Sequence, residues 1–321
     1  MKKVNGADDI HLRHLLLKRK VYVMKQQHKG SITSKEMRVF PYLLILPNFL
    51  IFTIFIIVPA IFGIYYSLTD WTGIGDLNFV GLENYVELLG DTRFWITVRQ
   101  TFIYALITLP LIVMIPLLLA TQLVKSIRCR SFFRAVFYWP SMISYIVVGL
   151  LFQFIFGDST GVINYLLSVF HFSEVNWFTN GITAMAVVVL ASVWSRSGFY
   201  MVTFISGLTS IDDTYYEAAE VDGASSFRKF WSITLPLLKP TTFLVVILGF
   251  IDLFKQYGLV LTLTDGGPAG VTKFAVQYIY EEAFQRFELG YASALSMVLM
   301  VILAFLTLVQ FKLNKGGAVN G

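Results

Sequence analysis

The stretch 215–240 reads YYEAAEVDGASSFRKFWSITLPLLKP, and it interrupts a chain that is otherwise apolar over long distances. Five of its first fifteen residues are charged, and it then becomes apolar and ends in Pro236-x-x-x-Pro240. Gly223 divides it, as a glycine does where a backbone turns between two helices. We therefore predict a helix, a glycine turn and a second helix that presents one apolar face. That face consists of Phe227, Phe230, Trp231 and Ile233.

The composition around this stretch indicates a membrane protein. Of the 321 residues, 56% are hydrophobic and 14% are charged, whereas a soluble domain has about 45–50% apolar and about 25% charged residues. Six apolar stretches reach the roughly 20 residues that a spanning helix needs, and none alternates as a barrel strand would. We predict an all-α polytopic membrane protein with six transmembrane helices. The predicted spans are 40–68, 98–124, 135–156, 182–207, 241–264 and 291–313.

Lysine and arginine predict the orientation of these spans, because cytoplasmic loops are enriched in both. Nineteen of the 25 lie on one side, in residues 1–40, the loop 125–134, the loop 208–240 and the C-terminal tail, and only four lie on the other. The domain organisation is therefore a basic cytoplasmic segment 1–39, a membrane domain 40–313 with the cytoplasmic loop 208–240, and a cytoplasmic tail 314–321. Within the segment 1–39, the stretch HLRHLLLKRKVYVMKQQ at 11–27 is either a helix on the anionic inner leaflet or an irregular basic tail.

Other classes of site are not indicated. The chain has no HExxH, CxxC or GxxxxGK[ST] pattern, and its single cysteine, Cys129, excludes an internal disulfide. We predict no metal site, no catalytic residue and no nucleic-acid partner. Adjacent carboxylates occur at Asp8/Asp9, Asp212/Asp213 and Glu281/Glu282. A polar tail, a helix start and a solvated loop face explain these pairs, and Ser210 before the second pair is the predicted cap of that helix.

The stretch 215–240 resembles the signature of permease subunits of binding-protein-dependent ABC importers. The pattern EAA-x-x-DGA-x5-F-x-x-I-x-LP-x3-P is met at every fixed position over 24 residues. Further segments are similar to the carbohydrate branch of that family, the maltose- and glycerol-phosphate-type permeases. They are FVGLENYVELLGDTRFW at 79–95, TDGGP at 264–268 and YIYEEAFQRFELGYASALS at 278–296. Tyr257-Gly258 departs from the Phe-Asp of many relatives, so a pathway carboxylate is either absent or replaced by Asp252.

The resemblance implies a type I ABC importer permease fold and a role for the loop as a coupling helix on a separate ATPase. The residues implied in coupling are Glu217, Ala218, Ala219, Asp222, Gly223, Ala224 and Phe230. It also implies an ATPase dimer that binds ATP and Mg²⁺, so that this chain holds no cofactor. A second permease in a heterodimer, an extracytoplasmic solute-binding protein, a sugar substrate and membrane lipid complete the expected partners. The expected location is the cytoplasmic membrane of a bacterium or archaeon.

Two predicted spans carry charged residues near their middle, where a charge is costly unless it faces protein or water. Asp252 and Lys255 are three residues apart, so they either pair on one helix face or line a wet sugar pathway. No carboxylate lies in span four beside Arg196. Either the partner permease supplies a carboxylate to this cation, or the cation faces the wet pathway. There it bonds to sugar hydroxyls or backbone carbonyls, or it binds the carboxylate of an acidic sugar such as a uronic-acid oligosaccharide. The candidate pathway residues are Tyr138, Ser144, Trp194, Arg196, Asp252, Lys255, Gln256 and Tyr257.

Two function classes follow. The first is a transport subunit that imports a neutral or acidic oligosaccharide and leaves ATP hydrolysis to its partner. The second is an integral-membrane enzyme acting on lipid-linked sugar, which would need a nucleophile, an acid–base pair or a metal cluster at the membrane face. A passive channel is disfavoured, because a channel has no use for an ATPase-docking elbow.

Overall fold

The computed structural model describes residues 35–125, 128–159 and 161–314, with side chains from residue 42 onward. Most of the predicted segment 1–39 and of the tail 314–321 lies outside these ranges. Within them the chain is helical, and the extended structure amounts to an isolated bridge between Thr69 and Phe79. The prediction of an all-α fold is confirmed.

The helices follow one another along the chain with few long loops. They are α1 (Lys35–Phe52), α2 (Val58–Tyr66), α3 (Glu83–Gly90), α4 (Thr92–Val124), α5 (Arg130–Tyr138), α6 (Tyr145–Ile155), α7 (Val162–Val169), α8 (Gly181–Thr209), α9 (Thr214–Val221), α10 (Ser226–Lys229), α11 (Leu235–Leu237), α12 (Lys239–Phe254), α13 (Gly258–Leu263), α14 (Ala275–Tyr280) and α15 (Leu289–Leu313). A π-helical turn, Thr53–Ile57, joins α1 to α2. Two further π turns, Phe230–Thr234 and Glu281–Gln285, follow α10 and α14.

Four helical segments of the described chain are long and apolar enough to cross a membrane: Tyr42–Tyr66, Thr92–Val124, Gly181–Thr209 and Leu289–Leu313. Two more spans are available from bent helix pairs. One pair covers Arg130–Met142 and Tyr145–Ile155 with a bend of 100°, and the other covers Ser226–Leu237 and Lys239–Phe254 with a bend of 65°. The described chain therefore has four to six spans, and it reaches the predicted six when each bent pair counts as one.

Two predicted spans are discontinuous helices in the structure. The span predicted at 135–156 bends after a 3₁₀ turn at Trp139–Met142, where Ile143 and Ser144 are extended and the Ser144 hydroxyl accepts the Val147 amide at 3.4 Å. The span predicted at 241–264 stops at Phe254 and resumes at Gly258. At the first interruption Pro140 lacks the amide that would donate a helical hydrogen bond.

The core of the part from Gly63 onward is built by α4, α8 and α12. Large aromatic side chains fill it, among them the fully buried Tyr104, Phe204 and Phe254. Lipid is as apolar as these side chains, so close packing and hydrogen bonds, rather than removal from water, hold the helices together.

The two interrupted spans also pack on each other, through α6 and α13. The contact centres on Gly149, where an added Cβ would lie 2.0 Å from Thr262 Oγ1 and 2.7 Å from the Leu259 carbonyl oxygen. Only glycine allows this approach. The Thr262 hydroxyl donates to the Ile146 carbonyl at 3.0 Å, which links the two helices across the contact.

Asp91 fixes the first turn of α4, outside the predicted spans. Its Oδ1 caps the helix by accepting the amides of Arg93 and Phe94 at 2.9 and 3.2 Å. Its Oδ2 accepts the hydroxyls of Tyr278 and Tyr291 at 2.7 and 2.8 Å. Burial raises the pKa of Asp91, but these hydrogen bonds outweigh burial, and the net pKa lies below its usual value. One carboxylate thus ties the start of α4 to the last two helices.

We expect Asp91→Asn to lower Tm at pH 7, because the ionised carboxylate accepts all four hydrogen bonds. A depressed folded-state pKa contributes stability that is present above the unfolded pKa of about 3.9 and is lost as pH falls through the folded value. The Tm difference between wild type and Asp91→Asn should therefore shrink as the pH is lowered below about 4. Asp76→Asn, at an exposed position in the loop between α2 and α3, is the control. A difference that does not change with pH would contradict this role of the charge.

Candidate functional site

The loop 208–240 forms the elbow, which comprises α9, the turn at 222–225 and α10 with its π turn. Ser210 does not cap α9 as predicted. Its hydroxyl donates to the Gly207 carbonyl at 2.7 Å, and its backbone still closes α8. The turn into α9 is held by Asp212 instead, whose Oδ1 accepts the Thr214 amide at 2.9 Å. The stronger acceptor two residues further on replaces the predicted serine cap.

The predicted turn at Gly223 is confirmed. Gly223 has φ +72°, a region that side-chain-bearing residues enter at a cost of about 1–2 kcal/mol. The Ala224 amide donates to the Ala219 carbonyl at 2.8 Å, and the Gly223 amide donates to Glu220 at 3.0 Å. These bonds close the end of α9, and Ser225 then caps α10 by accepting the Arg228 amide at 3.3 Å.

Two contacts brace the arms of the elbow against each other. Lys229 Nζ lies 3.2 Å from Glu220 Oε2, and the Tyr216 and Thr234 hydroxyls are 3.0 Å apart. Both contacts join the first arm to the second across the glycine turn. The elbow is therefore a defined shape rather than a loose loop.

The predicted coupling residues lie on and just under the surface of this elbow. Glu217, Ala218, Asp222 and Gly223 are exposed, whereas Ala219, Ala224 and Phe230 are partly buried. Apolar side chains are exposed beside them: Val221 is 89% exposed, Phe227 74% and Trp231 53%. Such a cluster in a polar loop is typical of a surface that binds another protein.

A second polar cluster joins three spans. Arg196 of α8 meets Asp252 of α12 in a two-pronged contact, with Nε to Oδ2 at 2.8 Å and Nη2 to Oδ1 at 3.3 Å. Tyr145, the first residue of α6, donates its hydroxyl to Asp252 Oδ2 at 3.1 Å and accepts from Arg196 Nε. The guanidinium carbon also lies 4.3 Å from the centre of the Tyr145 ring.

This cluster corrects two predictions. Asp252 pairs with Arg196 rather than with Lys255, and Arg196 finds its carboxylate within the same chain. The planar guanidinium matches both carboxylate oxygens, which an ammonium cannot do. Lys255 is the residue that follows the last residue of α12, Phe254. The argument for an acidic sugar at Arg196 therefore loses its basis, because that cation is neutralised by Asp252.

The remaining candidate pathway residues differ in burial and in their contacts. Trp194 packs against Phe152 with ring centres 5.6 Å apart, and Tyr138 is partly buried at the end of α5. Ser144 is exposed and caps α6. Gln256 is only 2% exposed, and neither amide atom has a hydrogen-bond partner among the described residues.

Two further candidates lie at the second helix break. Tyr257 is partly buried and its ring packs at a tilt against that of Tyr280, which packs in the same way against Phe284, each pair with ring centres 4.9 Å apart. Lys255 is exposed. Sequence reasoning missed Tyr145, because a span assumed to be continuous gives no sign that this residue begins a new helix.

The chain matches the family described as "Binding-protein-dependent transport system inner membrane component" over residues 112–316. It is 33% identical to the probable ABC transporter permease protein YurN of Bacillus subtilis over 87% of this chain and 97% of the relative. It is 33% identical to the sn-glycerol-3-phosphate permease UgpA of Agrobacterium fabrum, over 86% of this chain and 94% of the relative. It is also 33% identical to the trehalose/maltose permease MalF of Thermococcus litoralis, over 85% of this chain and 93% of the relative.

Among solved structures, a chain of a bacterial alginate ABC transporter, crystallised with an alginate-bound periplasmic protein, has a similar fold. Its TM-score is 0.75 at 23% identity, with 87% of this chain and 95% of the other covered.

The pairing of Arg196 with Asp252 predicts non-additive losses of stability. Each of Arg196→Gln and Asp252→Asn should lower Tm more than the double variant does, because each leaves a charge unpaired. The two side chains are 28% and 32% exposed. After allowance for solvent screening, we expect a coupling free energy of about 1–2 kcal/mol in a double-mutant cycle followed by thermal unfolding.

The surface pair Lys229 and Glu220 is the control for this cycle, since Glu220 is 77% exposed. A cycle of Lys229→Gln and Glu220→Gln should give a coupling below about 1 kcal/mol. Additive losses at Arg196 and Asp252 would mean that the two charges do not depend on each other.

Proposed function

The chain belongs to the family of binding-protein-dependent transport system inner membrane components, and from this premise we propose that it takes up a sugar, most often an oligosaccharide, as one permease of an ATP-driven importer. The relatives named for trehalose and maltose and for sn-glycerol-3-phosphate support a carbohydrate or a phosphorylated polyol as substrate. The observation that carries the proposal is the elbow, a rigid surface with exposed apolar side chains around Gly223.

In this proposal the elbow seats on a separate ATPase. Phe227 and Trp231 are the apolar anchors, because large exposed aromatic side chains contribute most to protein interfaces. Glu217 and Asp222 lie exposed on the first arm and offer polar contacts at the rim. ATP and Mg²⁺ bind on that ATPase, and this chain transmits the resulting motion to the membrane helices.

We propose further partners beside the ATPase. One chain offers one elbow, so an ATPase dimer needs a second permease, and we propose an unlike partner with the pathway between the two. A solute-binding protein delivers the sugar on the outer side. The lysine and arginine distribution supports placing both termini and the elbow in the cytoplasm of a bacterium or archaeon.

The competing function, an enzyme for lipid-linked sugar, finds little support in the adjacent carboxylates. Asp212 holds the turn into α9. Glu281 pairs with Lys273 at 2.8 Å, and Glu282 pairs with Arg286 at 2.7 Å. Each of these carboxylates already has a structural partner.

Replacing Gly223 tests the elbow. Gly223→Pro requires a φ of about −65° where the native value is +72°, and it removes the amide that donates to Glu220. We expect the variant to insert and assemble in the membrane but to lose most sugar uptake. The measurement is uptake in cells, with the amount of membrane-inserted importer determined by size-exclusion chromatography.

Gly75→Pro is the matched control for Gly223→Pro. Gly75 has φ +90° and open space around it, and it lies in the loop between α2 and α3. This variant should keep uptake within about twofold of wild type, since surface changes usually cost little. Normal uptake by Gly223→Pro would exclude the elbow as the coupling element.

The proposed heterodimer is tested by the subunit content of the purified importer. Native mass spectrometry should show one copy of this chain with one different permease and two ATPase subunits. A complex that holds two copies of this chain and lacks another membrane subunit would contradict the heterodimer.

A further inference from the structure

The two contacts that brace the arms of the elbow differ in their exposure to water. The ion pair of Lys229 with Glu220 lies at the surface, because the Glu220 side chain is 77% exposed, and such pairs contribute little. The hydrogen bond between the Tyr216 and Thr234 hydroxyls is shielded, because Thr234 is only 6% exposed. Water therefore competes least with the bond between the two hydroxyls.

The direction of this hydrogen bond follows from the π turn Phe230–Thr234. The Thr234 hydroxyl donates to the Lys229 carbonyl, five residues back, at 3.4 Å. A hydroxyl has one hydrogen to donate, so the Thr234 oxygen accepts from the Tyr216 hydroxyl at 3.0 Å. Thr234 thus fastens the first arm of the elbow to the π turn of the second.

The base of the elbow is held by a close approach of α8 to α12. At Gly207, near the end of α8, an added Cβ would lie 2.4 Å from Thr241 Oγ1 and 3.0 Å from Leu238 Cδ2. Leu238, which precedes α12, is fully buried. The roots of the two arms are therefore packed against each other, and the angle between the arms depends on the contacts further along them.

This angle decides which side chains form one surface. Glu217 lies exposed on the first arm, and Phe227 and Trp231 lie exposed on the second. A partner that contacts both arms binds best when the angle is already fixed, because ordering a mobile surface on binding costs free energy. The π turn adds weight to this second arm, since such turns are frequent at functional sites.

We propose that Tyr216 and Thr234 are positioning residues, whose hydrogen bond fixes the angle between the arms and so couples ATP hydrolysis to transport. The inference rests on the proposed function and names what holds the coupling surface in shape. Thr234 is buried within the chain, and Tyr216 acts through it. In this they differ from Glu217 and Phe227, which the proposed function places at the contact with the ATPase.

The test uses the whole importer, with its partner permease, ATPase and binding protein, reconstituted in proteoliposomes. The probes are maltose, trehalose and sn-glycerol-3-phosphate, and the measured quantity is the number of probe molecules imported per ATP hydrolysed. Tyr216→Phe removes one hydroxyl and should lower this ratio about threefold or more, the factor that an ordinary hydrogen bond represents in an equilibrium. The amount of assembled importer should stay at the wild-type level.

Further variants assign the effect to this bond. Thr234→Val removes the accepting oxygen at nearly the same volume and should also lower the ratio, whereas Thr234→Ser keeps the oxygen and should retain it. The double variant Tyr216→Phe/Thr234→Val should be no worse than the poorer single variant, because both changes remove the same interaction. Tyr215→Phe is the matched control, because Tyr215 is 54% exposed, and it should leave the ratio unchanged.

Amide hydrogen exchange in the same importer reports on the arms directly and needs no sugar. Exchange between residues 214 and 234 should be faster in Tyr216→Phe than in wild type, because the loss of the brace lets the arms open more often. Tyr215→Phe should exchange at the wild-type rate.

The possible failures are distinguishable. A wild-type ratio in Tyr216→Phe overturns the role in coupling, even if less importer assembles, because the bond would then serve folding alone. A lowered ratio with unchanged exchange overturns it as well, since the hydroxyl would then act at the ATPase rather than on the arms. Both results leave the sugar importer standing. If wild type imports none of the three probes, the proposed function fails and this inference fails with it.

Discussion

The ion pair between Arg196 and Asp252 is the interaction on which the arrangement of the membrane helices depends. It joins α8 to α12, and Tyr145 adds α6 through hydrogen bonds to both partners. In a low-dielectric setting neither charge is tolerable alone, so each helix is confined to positions in which the other charge is within reach. The pair thereby selects one packing among many that apolar side chains alone would allow, since those side chains pack almost equally well against lipid.

The low-dielectric setting also constrains the backbone at the helix breaks 143–144 and 255–257. A backbone that leaves helical geometry inside a membrane must have its free amides and carbonyls satisfied by protein or water. At the first break the Ser144 hydroxyl and the contact of Thr262 with the Ile146 carbonyl meet part of this need. The close approach at Gly149 holds α6 and α13 together, so the breaks support one another.

Much of this architecture could be predicted from sequence, and the errors have physical causes. The glycine turn at Gly223 is determined by four or five neighbouring residues, and local chemistry was enough to place it. The prediction that Ser210 caps α9 was wrong because serine and aspartate both fit a helix start. Only the backbone path shows that Ser210 still belongs to the end of α8. The pairing of Asp252 with Lys255 was expected for a different reason. The i,i+3 spacing is visible in a sequence, whereas the approach of α8 to α12, which pairs Asp252 with Arg196 instead, depends on tertiary packing.

The helix α12 connects the two candidate sites. It begins directly after the elbow, at Lys239, and ends at the break beside Lys255, with Asp252 on its last turn. A bend of 65° separates the segment Ser226–Leu237 from α12. At the other end of α12, the ion pair of Asp252 with Arg196 joins the helix to α8. Tyr145 adds α6 to this junction through hydrogen bonds to both charges, so a displacement of α12 acts on three helices at once.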